Sequence, residues 1–284
     1  MTLLGLAVSG RGAISPDEPV LYADDLGLLR GLAAFETLRV YDGRPFRMDE
    51  HLARLSASAE RIGIPTVDPE ALSGLATDAL AAAGVDDCAL RLYWTGGREG
   101  TGTPTALALV SALPPGLEER RARGLRAVAL TLPLDTRQRS EPWMLAGVKS
   151  TSYALNMAAE TEARRQGGDD AVFVSTDGWV LEGPVTNVWW RRSTVLFTPT
   201  LELGILAGVT RGHVLAAASE LGYEVEEGRY GVADLAAAEE AFSSSSVREI
   251  MPIVSLDGRP IGDGEPGPAA GTFQAALRAA ARRA

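Results

Sequence analysis

At 284 residues, 46% of them hydrophobic and 23% charged, the chain has the composition of a globular protein with core enough for one large domain or two ordinary ones. A formal net charge of -10 argues against broad binding to nucleic acid or to an anionic membrane, and no apolar run approaches membrane-spanning length. One cysteine excludes an internal disulfide framework, and with only two histidines beside it no metal site is expected. In chain order, the opening residues lack the basic region and apolar core of a signal peptide, so a cytoplasmic location is expected. Residues 38–41 and 45–47 flank Asp42-Gly43, a hairpin signal. Asp49 is placed to cap a helix whose apolar positions Leu52, Leu55, Ala59 and Ile62 recur at three- and four-residue steps. A second amphipathic helix spans 71–83 and is closed by Gly84. Residues 90–95 and 106–110 read as a strand pair around the Gly-rich loop 96–102, and Cys88, at the head of that first strand, reads as a buried, inert thiol.

Leu113-Pro114-Pro115-Gly116 breaks both periodicities and marks a domain boundary. The expected organisation is a smaller N-terminal α+β domain over 1–113, a linker over 114–122 and a larger C-terminal domain over 123–284. In the second part, 125–132 is a strand, 135–141 a polar arginine-bearing loop and 153–165 a helix. Residues 171–174 and 179–181 form a hairpin around Asp177-Gly178. Short strands follow at 188–190 and 195–197, then a helix opening at Leu206 to Thr210 and running to Leu221. A strand ends at Phe242 before the serines 243–246, another covers 250–256, and an Ala/Arg-rich helix closes the chain over 269–283. Strands clustered between helices indicate an α+β fold of two domains.

One position is chemically singular. Of the 27 Lys and Arg residues, Lys149 is the only lysine. Arginine stays protonated at any accessible pH, whereas a desolvated lysine amine can lose its proton and attack a carbonyl. The residue follows the apolar run 143–148, which favours partial burial; alternatively it is a surface leftover of biased composition. If the carbonyl is that of pyridoxal phosphate, a Schiff base at Lys149 needs two companions: an anion site for the phosphate and a carboxylate for the pyridinium nitrogen. For the anion, Arg54 sits beside the apolar stripe of its helix, Gly208-Val209-Thr210 opens a helix with unsatisfied N–H groups, and Ser243 to Ser246 offer hydroxyls. Each has an ordinary reading too, as surface arginine, plain helix start and polar turn. For the nitrogen, Glu182 ends an apolar run beside Gly183, or is a solvated turn residue. Asn187 offers an amide to orient neighbours and Tyr153 a phenol about one helical turn from the lysine, each with a turn or packing role as the alternative.

Taken in order, these segments resemble the class IV aminotransferases, pyridoxal-phosphate enzymes of fold type IV that include branched-chain and D-amino acid aminotransferases and aminodeoxychorismate lyase. The resemblance runs through Phe35-Glu36-Thr37, His51-Leu52-Ala53-Arg54-Leu55, Val148-Lys149-Ser150, Asp177-Gly178 with Glu182-Gly183 and Asn187, residues 206–211, and Ile250-Met251-Pro252-Ile253. It implies that Lys149 holds the cofactor and shuttles a proton, that Glu182 pairs with the ring nitrogen, and that Arg54, the Val209 and Thr210 amides and Ser246 hold the phosphate. Tyr153 would lie near the cofactor's phenolic oxygen, Asn187 beside the cofactor, and Phe35 on the substrate side. It further implies a site between the domains of a homodimer. Many members carry Gly-Asp-Gly before the Phe-Glu pair, whereas this chain reads Gly31-Leu32-Ala33, a departure on the substrate side. Transamination between an amino acid or amine and a 2-keto acid is the expected reaction. Loss of pyruvate from aminodeoxychorismate to give 4-aminobenzoate is the second reading, and a non-catalytic homologue the third. Arg98, Arg137, Arg139 and Arg248 are candidates for a substrate carboxylate, because a planar fork suits that group; solvated loop arginines are the alternative.

Overall fold

The computed structural model describes residues 2–283 and divides them into two compact units. The first takes the chain up to Pro115, the segment Val148–Tyr153 and the last residues from Ala281. The second takes Gly116–Gly147 and Ala154–Ala280.

In the first unit the elements are β1 (Leu3–Val8), β2 (Gly12–Ile14), α1 (Leu26–Arg30), β3 (Ala33–Tyr41), β4 (Arg44–Pro45), α2 (Met48–Arg61), α3 (Pro69–Ala83), β5 (Cys88–Thr95) and β6 (Ala106–Ser111). The strands form one antiparallel sheet in the order β2-β1-β6-β5-β3-β4. The Asp42-Gly43 hairpin is present, with both residues at positive φ as a tight strand-to-strand turn requires. Strand β3 alternates by twos: Ala34, Leu38 and Val40 enter the core that α2 and α3 cover, while Phe35 on the opposite face stacks on Tyr93 of β5 at 5.7 Å. Helix α2 lays Leu52, Leu55 and Ala59 into that core, and each buried leucine contributes about 1.5–3 kcal/mol. Its N-cap is Arg47 in the left-handed region; Asp49 lies inside the first turn, where its charge favours the helix dipole without capping it. Helix α3 begins earlier than expected because Asp68 caps it by accepting from Ala71 N–H, and it ends at left-handed Gly84. Cys88 is fully buried, and burial raises its thiol pKa to about 11.

The second unit contains α4 (Leu117–Arg123), β7 (Leu125–Thr131), α5 (Thr136–Arg139), α6 (Ala154–Arg165), β8 (Asp170–Val174), β9 (Asn187–Arg192), β10 (Val195–Pro199), α7 (Val209–Ala218), β11 (Glu224–Gly228), α8 (Val232–Ala236), β12 (Glu240–Ser245), β13 (Glu249–Leu256), β14 (Arg259–Pro260) and α9 (Pro268–Ala281). The sheet is mixed, ordered β11-β10-β9-β12-β13-β7-β8 with β14 paired to β13. Three apolar clusters fill it: one around Trp190, one under α6, and one where α7 and α9 meet Trp189 and Phe242.

Several boundaries differ from the sequence reading. The chain passes between units at Pro115 and Gly116, and the supposed linker is largely α4, which seats Leu117 in the interior. The lysine segment, expected in the C-terminal domain, belongs to the first unit. The 135–141 loop contains α5, closed by a capping box between Asp135 and Gln138. Residues 179–181 meet their neighbours through isolated bridges instead of a second full strand. Strand β12 continues through Ser243, Ser244 and Ser245, so only Ser246 lies in the turn that follows. Among the described residues no helix is long and apolar enough to cross a membrane.

Candidate active site

In the first unit, the backbone of the segment around Lys149 is held on two sides. Phe35 N–H donates to the Lys149 carbonyl at 3.1 Å, and Thr151 N–H to the Ala33 carbonyl at 2.9 Å, with an antiparallel bridge between Ala34 and Ser150. Lys149 N–H donates to Ser58 Oγ of α2 at 3.2 Å. The segment thus pairs with the start of β3 and sits against α2, which fixes the root of the lysine side chain. Its Nζ lies 4.3 Å from the Phe35 ring centre and 3.4 Å from the Tyr153 hydroxyl oxygen. Phe35 meets Tyr153 edge-on at 5.1 Å. Tyr153 reaches the amine from the non-helical stretch before α6, where its N–H turns back to the Thr151 carbonyl at 2.7 Å. Aromatic faces on this amine make its surroundings less aqueous while leaving it a hydrogen-bond partner.

The adjacent residue, Glu36, faces the other way. Its side chain is fully buried beneath α2, where Arg54 Nε donates to Oε1 at 2.7 Å and Arg54 Nη2 to Oε2 at 2.7 Å. His51 Nδ1, three residues before Arg54 on the same helix, lies 2.7 Å from Oε2. Burial raises the carboxyl's pKa, but the hydrogen bonds and charge of Arg54, with those of His51, outweigh it and bring the group to about 2. Burial lowers the His51 pKa against the pull of Glu36. An ionised carboxylate can only accept, so the imidazole donates to it through Nδ1. Arg54 is half-buried and not an ordinary surface arginine, and its buried carboxylate partner is no part of the sequence reading. The Phe35-Glu36 pair carried that signal, since two neighbours in a strand must face opposite ways.

In the second unit, a separate cluster forms around Glu182. Leu206 N–H donates to Glu182 Oε2 at 3.0 Å, and Asn187 Nδ2 approaches the same oxygen at 3.5 Å. Asn187 Nδ2 also donates to the Leu206 carbonyl at 2.9 Å, so the loop before α7 is tied to both side chains. Arg139 supports that loop from behind, donating to the Leu203 and Gly204 carbonyls at 3.1 and 2.8 Å. Burial lowers its pKa while the Glu182 charge raises it. Gly208 is the N-cap of α7, and a Cβ there would run into Asn187 Oδ1. With no side chain at that cap, the first-turn N–H groups of buried Val209 and Thr210 stand at the positive end of the helix dipole.

Ser246 lies half-buried in the turn between β12 and β13. That turn is set by Glu249, left-handed at φ 58° and fully buried, whose carboxylate receives Arg121, Gln274 and Arg278. The Ser244 hydroxyl accepts the Trp189 indole N–H at 2.9 Å, a structural role inside the strand. The remaining arginine candidates are differently placed. Arg248 is paired with Asp170 at 2.5 Å and Glu160 at 2.9 Å. Arg98, exposed, is bonded through Nε and Nη2 to Asp24 and lies over Tyr22. Arg137 is exposed. The donor types in the two units, an amine beside a phenol, an oriented carboxylate and helix-start amides, are those pyridoxal phosphate requires.

Comparison with known proteins gives a consistent family. The model of the amino-transferase class IV family matches residues 33–256. A bifunctional aminodeoxychorismate lyase / D-amino acid transaminase of Mycobacterium tuberculosis is 38% identical over 258 residues, covering 87% of this chain and 89% of that one. An aminodeoxychorismate lyase of Bacillus subtilis is 32% identical, covering 88% and 86%. A hypothetical aminotransferase from Mycobacterium tuberculosis, solved in a PLP-bound form and in an alpha-ketoglutarate and PMP bound form, superimposes with TM-score 0.90 at 36% identity, covering 97% of this chain and 98% of that one. A fold IV-transaminase from Curtobacterium pusillum gives TM-score 0.88 at 33% identity, with 99% of each chain covered.

Proposed function

This chain belongs to the class IV aminotransferase family of pyridoxal-phosphate-dependent enzymes, and on that premise we propose that it moves an amino group between an amino acid or amine and a 2-keto acid. Lys149 is the observation that carries the reading. It is the sole lysine, its backbone is pinned by β3 and α2, and its Nζ sits between the Phe35 ring and the Tyr153 hydroxyl. Bound pyridoxal phosphate supplies a protonated ring that accepts the electron pair left when the substrate Cα loses its proton. In the proposal Lys149 would bind that group covalently through Nζ with release of water and, once the substrate amine had displaced it, would carry the proton at the substrate Cα. Tyr153 steadies Nζ through its hydroxyl. Glu182 would hold a proton on the ring nitrogen, with Leu206 N–H at 3.0 Å and Asn187 Nδ2 at 3.5 Å orienting its carboxylate. Arg54, Ser246 and the amides of Val209 and Thr210 hold the phosphate. Phe35 forms an apolar wall on the substrate side. Arg98 and Arg248 stay candidates for a substrate carboxylate, with Asp24 engaging the first and Asp170 and Glu160 the second in this arrangement. A homodimer, the habit of the family, and a cytoplasmic place of action complete the proposal.

A lyase acting on aminodeoxychorismate is the second reading, favoured by the 38% identity to the bifunctional Mycobacterium tuberculosis enzyme. The Cα proton leaves through the same lysine in either case. Adding D- and then L-amino acids to the holoenzyme and following the cofactor's absorbance distinguishes them, with pyruvate assayed after aminodeoxychorismate is supplied. Transamination predicts conversion to the aminated cofactor with at least one enantiomer. Pyruvate release with no such conversion would assign the lyase instead.

A further inference from the structure

The fully buried Glu36 has no place in the chemistry described above. It occupies an inward position of β3 between Ala34 and Leu38, both of which enter the apolar core. An aliphatic side chain would fill such a place without the cost of burying a carboxylate, and buried ion pairs replaced by apolar groups are often no less stable. What the carboxylate adds is direction. Arg54 projects from α2 on a long flexible stem, and Glu36 takes its Nε and Nη2 edge with two bonds of 2.7 Å. In a planar guanidinium, fixing that edge fixes the direction of the opposite edge, which carries Nη1 and the outer Nη2 proton. His51 Nδ1 meets Oε2 at 2.7 Å and Thr37 N–H approaches the same oxygen at 3.3 Å, so the carboxylate is itself held from several sides. His51 and Arg54 lie three residues apart on one helix, and the hydroxyl of Ser58, four further on, accepts from the Lys149 main chain. One helical face therefore registers both the arginine and the lysine segment against β3.

We propose that Glu36 is a positioning residue that aims Arg54 at the cofactor phosphate, with His51 locking the carboxylate in place. The inference rests on the reading that Arg54 holds that phosphate. Its signature is selectivity for the phosphate, not general loss of binding. The test titrates apoenzyme with pyridoxal phosphate and with pyridoxal, which lacks the phosphate, and follows protein fluorescence. Circular dichroism checks the fold of the native protein, Glu36→Gln, the milder Glu36→Asp, Arg54→Gln and the double variant Glu36→Gln/Arg54→Gln.

Both Glu36 variants should bind pyridoxal phosphate about tenfold more weakly, the worth of one well-aimed charge-assisted hydrogen bond, and pyridoxal as the native protein does. The double variant should lose no more than Arg54→Gln, since two residues acting through one contact are not additive. Loss of selectivity in Arg54→Gln with none in either Glu36 variant would overturn the inference and leave the Arg54 reading standing. Unchanged selectivity in Arg54→Gln would remove that reading and the inference with it. Equal weakening of both ligands in folded Glu36 variants would reduce Glu36 to a structural residue and also overturn the proposal.

Discussion

Phe35 and Glu36 are neighbours in sequence and opposites in direction, and the two faces of β3 put them to different uses. Phe35 packs against the amine of Lys149, whereas Glu36 closes an ion pair under α2. Because the folded-state pKa of Glu36 is depressed from 4.5 to about 2, its pairing contributes stability above about pH 4.5 that is lost as pH falls toward 2. The stability gap between the native protein and Glu36→Gln, about 1–3 kcal/mol at neutral pH, should therefore narrow in urea titrations as pH falls to about 3. A gap independent of pH would contradict the pairing. For Glu182, replacement by Gln should lower kcat by about two orders of magnitude or more while Lys149 still captures the cofactor, because only the electrostatic partner is removed. Steady-state rates alongside the bound-cofactor spectrum check this, and undiminished turnover would contradict the role given to Glu182. At this scale the sequence revealed residue types better than partners. Arg248, by its sequence a candidate for a substrate carboxylate or a solvated loop arginine, pairs with Asp170 and Glu160, 78 and 88 positions away, and no local pattern carries such a pairing.

Helices were legible where apolar spacing and a cap agreed, as at the Gly84 end of α3, whose start at Pro69 after the Asp68 cap lay outside the expected 71–83. They were less so where the fold supplies the start: α2 begins at left-handed Arg47 after the short strand β4, and Asp49 merely looks like a cap. The serine run shows the same limit, because pairing of Ser243 to Ser245 with β13 makes strand of what composition reads as turn. Helix α7 is where element and chemistry meet. Its start must come close to Asn187, and the absence of a Cβ at Gly208 permits that approach. Gly208→Ala should therefore destabilise the protein by about 1–3 kcal/mol through overpacking and weaken cofactor binding along with it. Denaturant unfolding and apoenzyme titration measure both, and native-like values would show that α7 tolerates the displacement.

For the molecule as a whole, an α+β fold was readable from strands clustered between helices, but the path of the chain was not. The segment Val148–Tyr153 leaves the second unit's sequence and joins the first, where β3 and α2 receive it. Such an excursion depends on main-chain pairing between residues more than a hundred positions apart, as between Thr151 and Ala33, and leaves no periodicity in the segment itself. The acidic balance of -10 fits a small-molecule enzyme better than a binder of nucleic acid. All of this converges on one amine. The most direct test is borohydride reduction of the purified holoenzyme followed by peptide mapping. The account predicts a pyridoxyl adduct on the peptide containing Lys149; a reduced protein with no adduct there would contradict it.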